Sequence, residues 1–333
     1  MMLQAKVAGG IAALAAGVLV LAACGSGSSG GSGATTGSSK KPVNIDVGYV
    51  AYSDDDALFL AIQDGIFAKH GLNVSLTSQA NPIDVVSSMI SGSEQFGFVT
   101  TPVLANVNSK GTSLKCVSTV DGNQPTKDSQ DGTMLVAAKG SGITSLAGLA
   151  GKKVATVQTT SLNSLAVEVL AQRAGLSPGS YTFIQEPFPQ MPASLTQGNV
   201  QAAVITSPFV NTAIADGATV IDHPNVVLFG GATVTCLSSL GSYIKKNPAV
   251  VSEFHAAMNE ATAYSKAHES AAKATLTKYL DLTSAVAQKQ VLSTNWDSTL
   301  NIASINQIES DMVAFGLIKK VIPASTMVWS QAG

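Results

Sequence analysis

The sequence predicts an α/β fold of two similar lobes joined by a hinge, with a C-terminal helical extension. Residues 88–111 and 194–217 align without a gap at an offset of 106 residues. Strand-like and helical segments alternate in each half, a pattern that is typical of parallel sheets covered by helices. After the second half, Asn247-Pro248 opens a long helical segment that runs to about Gly316, with Asn247 as its cap.

The N-terminus has the three parts of a signal peptide. Lys6 supplies the positive charge, an apolar segment follows over 7–22, and small residues precede Cys24. An apolar segment this short is marginal for a membrane span. The Leu-Ala-Ala-Cys sequence that ends at Cys24 resembles the bacterial lipobox, which implies cleavage of residues 1–23 and acylation of Cys24, as by palmitate. An ordinary signal peptide with a free cysteine is the alternative.

Residues 24–42 are predicted to be a flexible tether. The sequence GSGSSGGSGATTGSSKK over 25–41 has no apolar residue larger than alanine, so it cannot bury enough surface to offset its ordering entropy. No later segment has 18 uninterrupted apolar residues. We therefore expect a soluble body, held on the extracytoplasmic face of the cell membrane through the lipid on Cys24.

Each copy of the repeat predicts a helix that ends at glycine, a short strand, and a new helix. The new helices begin at the TTP sequence of 100–102 and the TSP sequence of 206–208, because a hydroxyl cap followed by proline favours a helix start. The segments ahead correspond at an offset of 107. They predict helices over 55–64 and 162–174 and strands over 72–77 and 181–185.

The chain is expected to leave lobe one near 136–140 and to return near 231–236, and two crossings make a hinge. A strand is predicted over Thr233–Leu240. The predicted boundaries are 43–137 plus 234–333 for lobe one, including the C-terminal helices, and 138–233 for lobe two.

Polar helix starts from both lobes are expected to face a shared cleft. In open parallel sheets, ligands bind beyond the carboxyl ends of the strands, where helix N-termini offer free N–H groups. Ordinary helix capping is the alternative explanation for these polar residues. The predicted ligand-binding residues are Tyr52, Ser53, Asp54, Asp55, Thr100, Thr101, Thr159, Thr160, Ser161, Asn163, Thr206 and Ser207.

Two further segments carry a family resemblance. Residues 64–74 (DGIFAKHGLNV) and 142–154 (GITSLAGLAGKKV) resemble the nitrate, sulfonate and taurine binding proteins and the binders of thiamine pyrimidine precursors. The resemblance covers about 43–320. It implies a type II periplasmic-binding-protein fold, hinge closure on a ligand, and docking to an ABC permease and its ATPase. Gly148 stands where the family often has aspartate, and 206–208 replaces an acidic residue followed by proline.

The acidic cluster Asp54-Asp55-Asp56 is unusual for a site that binds only anions. One carboxylate can face the cleft and pair with an amine or a ring N–H, which would favour a zwitterionic or heterocyclic ligand over nitrate. A solvated acidic helix start is the alternative. Tyr52, Phe188 and Phe209 can stack on a ring or belong to the core.

Cys116 and Cys236 lie in apolar strand-like segments. Outside the membrane a disulfide between them is plausible, and it would tie the returning segment to lobe one and leave the hinge free. Two buried free thiols are the alternative.

Charge and chemistry exclude several other functions. The net charge is −2 and no basic segment occurs, which argues against nucleic acid as a partner. Arg173, the sole arginine, is expected at a helix C-terminus rather than on a ligand. The sequence shows no Ser-His-Asp or Cys-His set, which argues against an enzyme on this fold. No cofactor or metal is expected, because no metal-ligand spacing occurs among His70, His223, His255 and His268.

These observations predict the solute-binding component of an ABC importer. It would be a monomer that captures a small polar or heterocyclic solute of the sulfonate, nitrate, taurine or pyrimidine type. A ligand-sensing lipoprotein, or an enzyme on the same fold, is the alternative.

Overall fold

The computed structural model of the protein describes residues 41–120, 122–292 and 296–330. The predicted signal peptide, Cys24 and the tether up to residue 40 lie outside these residues. In the described ranges, no helix is both long and apolar enough to cross a bilayer.

The described residues form ten strands and fourteen α-helices. The strands are β1 (Val43–Val50), β2 (Leu72–Gln79), β3 (Phe96–Thr100), β4 (Leu114–Ser118), β5 (Thr133–Ala137), β6 (Lys153–Thr156), β7 (Thr182–Gln185), β8 (Ala202–Thr206), β9 (Thr219–Asp222) and β10 (Thr235–Leu240). The helices are α1 (Asp56–Gln63), α2 (Ile66–Lys69), α3 (Pro82–Ser91), α4 (Thr101–Ser109), α5 (Leu162–Arg173), α6 (Met191–Gln197), α7 (Phe209–Ala215), α8 (Pro224–Phe229), α9 (Gly241–Lys246), α10 (Pro248–Ala267), α11 (Glu269–Tyr279), α12 (Ser284–Ala287), α13 (Ile302–Ala314) and α14 (Ala324–Met327).

The strands form two five-stranded sheets with the same architecture. Their orders are β2-β1-β3-β10-β4 and β7-β6-β8-β5-β9. The first three strands of each sheet are parallel, as the alternation of strands and helices predicts. The fourth strand, β10 in one sheet and β5 in the other, is antiparallel to both of its neighbours. The sheets are therefore mixed rather than purely parallel.

The first predicted lobe boundary is wrong by one strand. The boundary at residue 137 assigns Thr133–Ala137 to lobe one, but this strand is β5, which pairs with β8 and β9 of the second sheet. The chain therefore crosses within 119–132 and not near 136–140. The second crossing lies between α8 and β10, where the sequence predicts it.

The repeat marks matching elements in the two lobes. β3 and β8 occupy the same positions at an offset of 106, and the predicted elements of each half appear within two residues of their expected ends. The helix starts of the two copies differ. α4 begins at Thr101, whereas α7 begins at Phe209, after a cis Ser207–Pro208 peptide bond.

The C-terminal extension packs on lobe one. The predicted continuous helical segment is divided into α10, α11, α12 and α13, and both α10 and α11 pack against α1. Phe254 of α10 stacks on Phe96 with ring centroids 3.8 Å apart. The Asn247 amide does not cap α10 as predicted; it donates instead to the Tyr243 carbonyl at 3.2 Å.

The structure contains a disulfide between Cys116 of β4 and Cys236 of β10, with the two Cα atoms 5.3 Å apart. These strands are neighbours in the first sheet. The bond therefore joins two strands of lobe one and does not link the lobes.

Candidate functional site

A cavity of about 50 Å³ lies between the lobes, at the carboxyl ends of the parallel strands. A single buried water needs on the order of 10–15 Å³ of such space, so the cavity holds a few small groups. Lobe one contributes Tyr52, Asp54, Phe98, Thr100 and Thr235, and lobe two contributes Thr133, Leu162, Asn163, Phe188 and Thr206. The crossing segments and the start of α8 supply Gln124, Val234 and Asn225.

An aromatic cluster forms one wall of the cavity. The ring centroid of Tyr52 lies 5.1 Å from that of Phe98 in its own lobe and 5.3 Å from that of Phe188 in the other lobe. These separations are typical of favourable ring pairs. The third aromatic candidate, Phe209, is absent from this lining and contacts a larger space of about 290 Å³ near Phe188.

Three polar side chains of the lining carry buried oxygens that lack a partner. Within the described residues, no hydrogen bond is made by Gln124 Oε1, Asn225 Oδ1 or Thr100 Oγ1. An unsatisfied buried polar atom costs about 1–3 kcal/mol. By contrast, the Thr133 hydroxyl donates a hydrogen bond to the Thr206 hydroxyl at 3.1 Å. The three free oxygens are therefore the groups that a bound molecule would satisfy.

Five of the twelve predicted ligand-binding residues line the cavity, namely Tyr52, Asp54, Thr100, Asn163 and Thr206. Thr159 is exposed and Thr160 is partly exposed, and neither belongs to the lining within the described chain. Leu162 and Asn163, at the start of α5, line the cavity instead.

The other five predicted residues are buried outside the described lining of the cavity, namely Ser53, Asp55, Thr101, Ser161 and Ser207. Ser161 caps α5 in a reciprocal pair with Ser164. Thr101 donates from its hydroxyl to the Thr233 carbonyl and from its N–H to the Val234 carbonyl, both at 2.9 Å. Thr101 therefore fixes the start of α4 to the second crossing.

The lobes touch across the cleft. The Ser53 N–H and hydroxyl both donate to the Ser207 carbonyl, at 3.3 and 3.2 Å. Gln158 of lobe two donates to Asn81 Oδ1 of lobe one at 3.0 Å. These contacts, together with the Tyr52–Phe188 pair, describe a closed arrangement of the lobes.

The two crossing segments are paired with each other. Gln124 N donates to the Ala232 carbonyl at 2.9 Å, and Gly231 N donates to the Gln124 carbonyl at 3.0 Å. The Thr233 hydroxyl donates to Asn123 Oδ1 at 2.6 Å. The segments therefore form one hinge element, and the Gln124 side chain reaches the cavity from it.

The acidic helix start of lobe one is buried beside the cavity. Asp55 and Asp56 have no exposed surface. Burial, together with the neighbouring Asp54, raises the pKa of Asp55 well above its ordinary value and that of Asp56 to about 8. Trp296 Nε1 donates to Asp56 Oδ2 at 3.4 Å. Asp55 and Asp56 thus differ from a solvated helix start, and only Asp54 of the three lines the cavity.

The sequence interpretation missed Gln124 and Asn225. Neither lies in a turn between a parallel strand and the helix that follows it, and such turns contain all the predicted ligand-binding residues. Gln124 would have been a candidate if the first crossing had been placed at 119–132. Arg173 lies exposed at the C-terminal end of α5, as predicted. Among the residues that the structure describes, no group of His, Cys, Asp or Glu could hold a metal ion.

Residues 56–272 match the sequence model of the family described as "NMT1/THI5 like". No curated protein matches the chain by sequence. The alkanesulfonate-binding protein SsuA from Xanthomonas axonopodis pv. citri bound to MOPS is 18% identical, with a TM-score of 0.73 over 87% of this chain and 99% of that one.

Two other solved structures share this architecture. The periplasmic nitrate-binding protein NrtA from Synechocystis PCC 6803 is 14% identical, with a TM-score of 0.74 over 88% of this chain and 87% of that one. The ligand-binding component of an ABC-type import system from Staphylococcus aureus, with zinc bound, is 14% identical, with a TM-score of 0.75 over 86% and 96%. These similarities confirm the predicted two-lobe type II fold.

Proposed function

The chain belongs to the NMT1/THI5-like family, and we propose that it is the solute-binding component of an ABC importer. The observation that carries the proposal is a cavity lined by both lobes and by the hinge. The structurally similar SsuA and NrtA are binding proteins, which favours binding over catalysis.

Hinge closure would trap the solute. In the closed arrangement the oxygens of Thr100, Gln124 and Asn225 lack partners, so closure without a ligand carries a free-energy cost. A solute that supplies those partners binds the closed state more strongly than the open state and shifts the population toward it. A dissociation constant of about 1 μM, or about −8 kcal/mol, allows both capture and release.

The solute is a small polar or heterocyclic molecule of the sulfonate, nitrate, taurine or pyrimidine type. The proposed partners are an ABC permease and its ATPase. The lipobox-like sequence supports acylation of Cys24 and attachment of a monomer to the extracytoplasmic face of the membrane.

Calorimetry on the body, residues 41–333, with sulfonates, nitrate, amino acids, pyrimidines and flavins tests this proposal. We expect one class to bind saturably and to be recovered unchanged. Asn225→Ala, which removes a cavity amide, should weaken that binding at least tenfold. Asn199→Ala, at an exposed position of the same lobe, is the matched control. Conversion of the bound compound, or equal binding by both variants, would contradict the proposal.

A further inference from the structure

The charges that line the cavity favour a cation over an anion. In the described lining, Asp54 is the only charged residue, and lysine, arginine and histidine are absent. The undescribed positions inside the folded body, Asp121 and 293–295, include no basic residue either. A bound anion would therefore face a carboxylate and would have no cationic side chain to offset its loss of hydration.

Two of the three unsatisfied groups of the cavity need hydrogen-bond donors. The carbonyl oxygens of Gln124 and Asn225 can only accept, and these residues are 3% and 4% exposed. Neither oxygen has a partner among the described residues. A sulfonate or nitrate has no donor and would leave both oxygens unpaired, whereas an N–H-rich molecule can satisfy both.

The aromatic wall suits a cation. Tyr52, Phe98 and Phe188 surround one side of the space, and ring faces attract a positive charge, more strongly when water is excluded. Burial, and secondarily the charge of Asp54, raises the pKa of Asp56 to about 8, so this carboxyl is protonated at neutral pH and the negative charge beside the wall is that of Asp54.

From these three features, we propose that the cavity binds a small protonated nitrogen base rich in N–H donors, such as a guanidinium, an amidinium or a protonated amine. The base would place its charge near Asp54, its N–H groups on Gln124 and Asn225, and its flat or alkyl face on the aromatic wall. The inference rests on the proposed function, and it assigns the cavity a cationic ligand in place of the anionic solutes named there. The alkanesulfonate-binding protein SsuA and the nitrate-binding protein NrtA have anions as their ligands instead.

Guanidinium and nitrate form a matched pair of probes, because both are planar, trigonal ions of four heavy atoms with opposite charge. Their binding to the protein is measured by calorimetry as guanidinium chloride and sodium nitrate at constant ionic strength, with urea as the neutral planar analogue. We expect guanidinium to bind at least tenfold more tightly than nitrate or urea. Asp54→Asn should weaken guanidinium binding at least tenfold, whereas Asp64→Asn, an exposed carboxyl at the other end of α1, should leave it unchanged.

Several results would overturn the inference: tighter binding of nitrate than of guanidinium, equal binding of urea, no guanidinium binding, or an Asp54→Asn variant with unchanged affinity. Saturable binding of a sulfonate or nitrate that Asn225→Ala abolishes would overturn only this inference and leave the proposed function in place. Failure of guanidinium and of every member of the wider solute panel to bind would instead count against the proposed function.

Discussion

Lobe one and lobe two carry the same turn after their third strand but use it for different contacts. In lobe one, the Thr101 hydroxyl binds the Thr233 carbonyl of the hinge. In lobe two, the Ser207 carbonyl accepts two hydrogen bonds from Ser53 of the opposite lobe. The repeat therefore determines where a polar turn lies, while its surroundings determine whether that turn anchors the hinge or closes the cleft.

The first helices of the lobes differ in charge as well. At an offset of 107, Asp56 of lobe one corresponds to Asn163 of lobe two. Asp56 is buried beside two other carboxyl groups, whereas Asn163 follows an uncharged cap at Ser161. The first helix of lobe one thus begins beside carboxyl groups, whereas that of lobe two begins beside uncharged polar side chains.

The largest expected effect comes from removing this difference with Asp56→Asn. The pKa of Asp56 is about 8 in the folded protein and about 4 in an unfolded chain. Between these values the folded state keeps a proton that the unfolded state has lost, so the carboxyl lowers the free energy of unfolding by about 1.4 kcal/mol per pH unit as pH rises.

Urea unfolding at pH 5 and pH 8 measures this effect. We compare the free energy of unfolding of Asp56→Asn with that of the wild type at each pH. We expect the difference to favour the variant by several kcal/mol more at pH 8 than at pH 5. Asp64→Asn, which is exposed, serves as the control with no such difference. Parallel pH profiles for wild type and Asp56→Asn would show that Asp56 is ionised throughout.

The next effect concerns the disulfide. Among the described residues, lobe one contains this bond and lobe two contains none. Replacing both Cys116 and Cys236 by alanine frees two positions 120 residues apart in the unfolded chain. We expect a loss of about 2–4 kcal/mol in the free energy of unfolding, measured by thermal unfolding. The ligand affinity should be unchanged, because the bond lies within one sheet; a large loss of affinity would mean that it also shapes the cleft.

A smaller effect separates the two copies of the turn. Thr101→Val removes a buried hydrogen bond and leaves the Thr233 carbonyl unpaired, so we expect a loss of about 1–3 kcal/mol in stability. Ser207→Ala, at the matching position, keeps the backbone carbonyl that joins the lobes and should cost under about 0.5 kcal/mol. Equal losses in thermal unfolding would mean that the two turns serve the same role.

The smallest effect is on closure itself. Ser53→Ala removes one of the two donors to the Ser207 carbonyl, worth about 1 kcal/mol, so we expect a several-fold weaker affinity through faster ligand release. Thr160→Ala, at the equivalent position of lobe two, is the matched control, because Thr160 is partly exposed. Stopped-flow dissociation distinguishes the two, and unchanged release from Ser53→Ala would show that the Ser53 hydroxyl does not hold the cleft shut.

Most of the fold was predictable because its information is local and repeated. Hydrophobic strands, glycine stops and polar helix starts recur at a fixed offset, and the structure places β3 and β8 in register with that offset. The sheet to which β5 belongs was not predictable in the same way, since its apolar sequence Thr-Met-Leu-Val-Ala would suit the core of either lobe. Long-range pairing with β8 and β9 decides it.

The site was only partly predictable for a similar reason. Strand-end turns located Tyr52, Asp54, Thr100, Asn163 and Thr206, because parallel strands bring their carboxyl ends to one edge. Gln124 and Asn225 have no such local signal. They reach the cavity only because the hinge segments pass beside it, which is a property of the whole chain path.

The position of β10 has a consequence for biosynthesis. A nascent chain that has reached residue 234 already contains every strand of the second sheet, whereas the first sheet still lacks the strand that links β3 to β4. β4 pairs in that sheet only with β10 among the described strands, and Cys116 must likewise wait for Cys236. The second lobe can therefore assemble as a contiguous unit, while the lobe that begins the folded body is completed last.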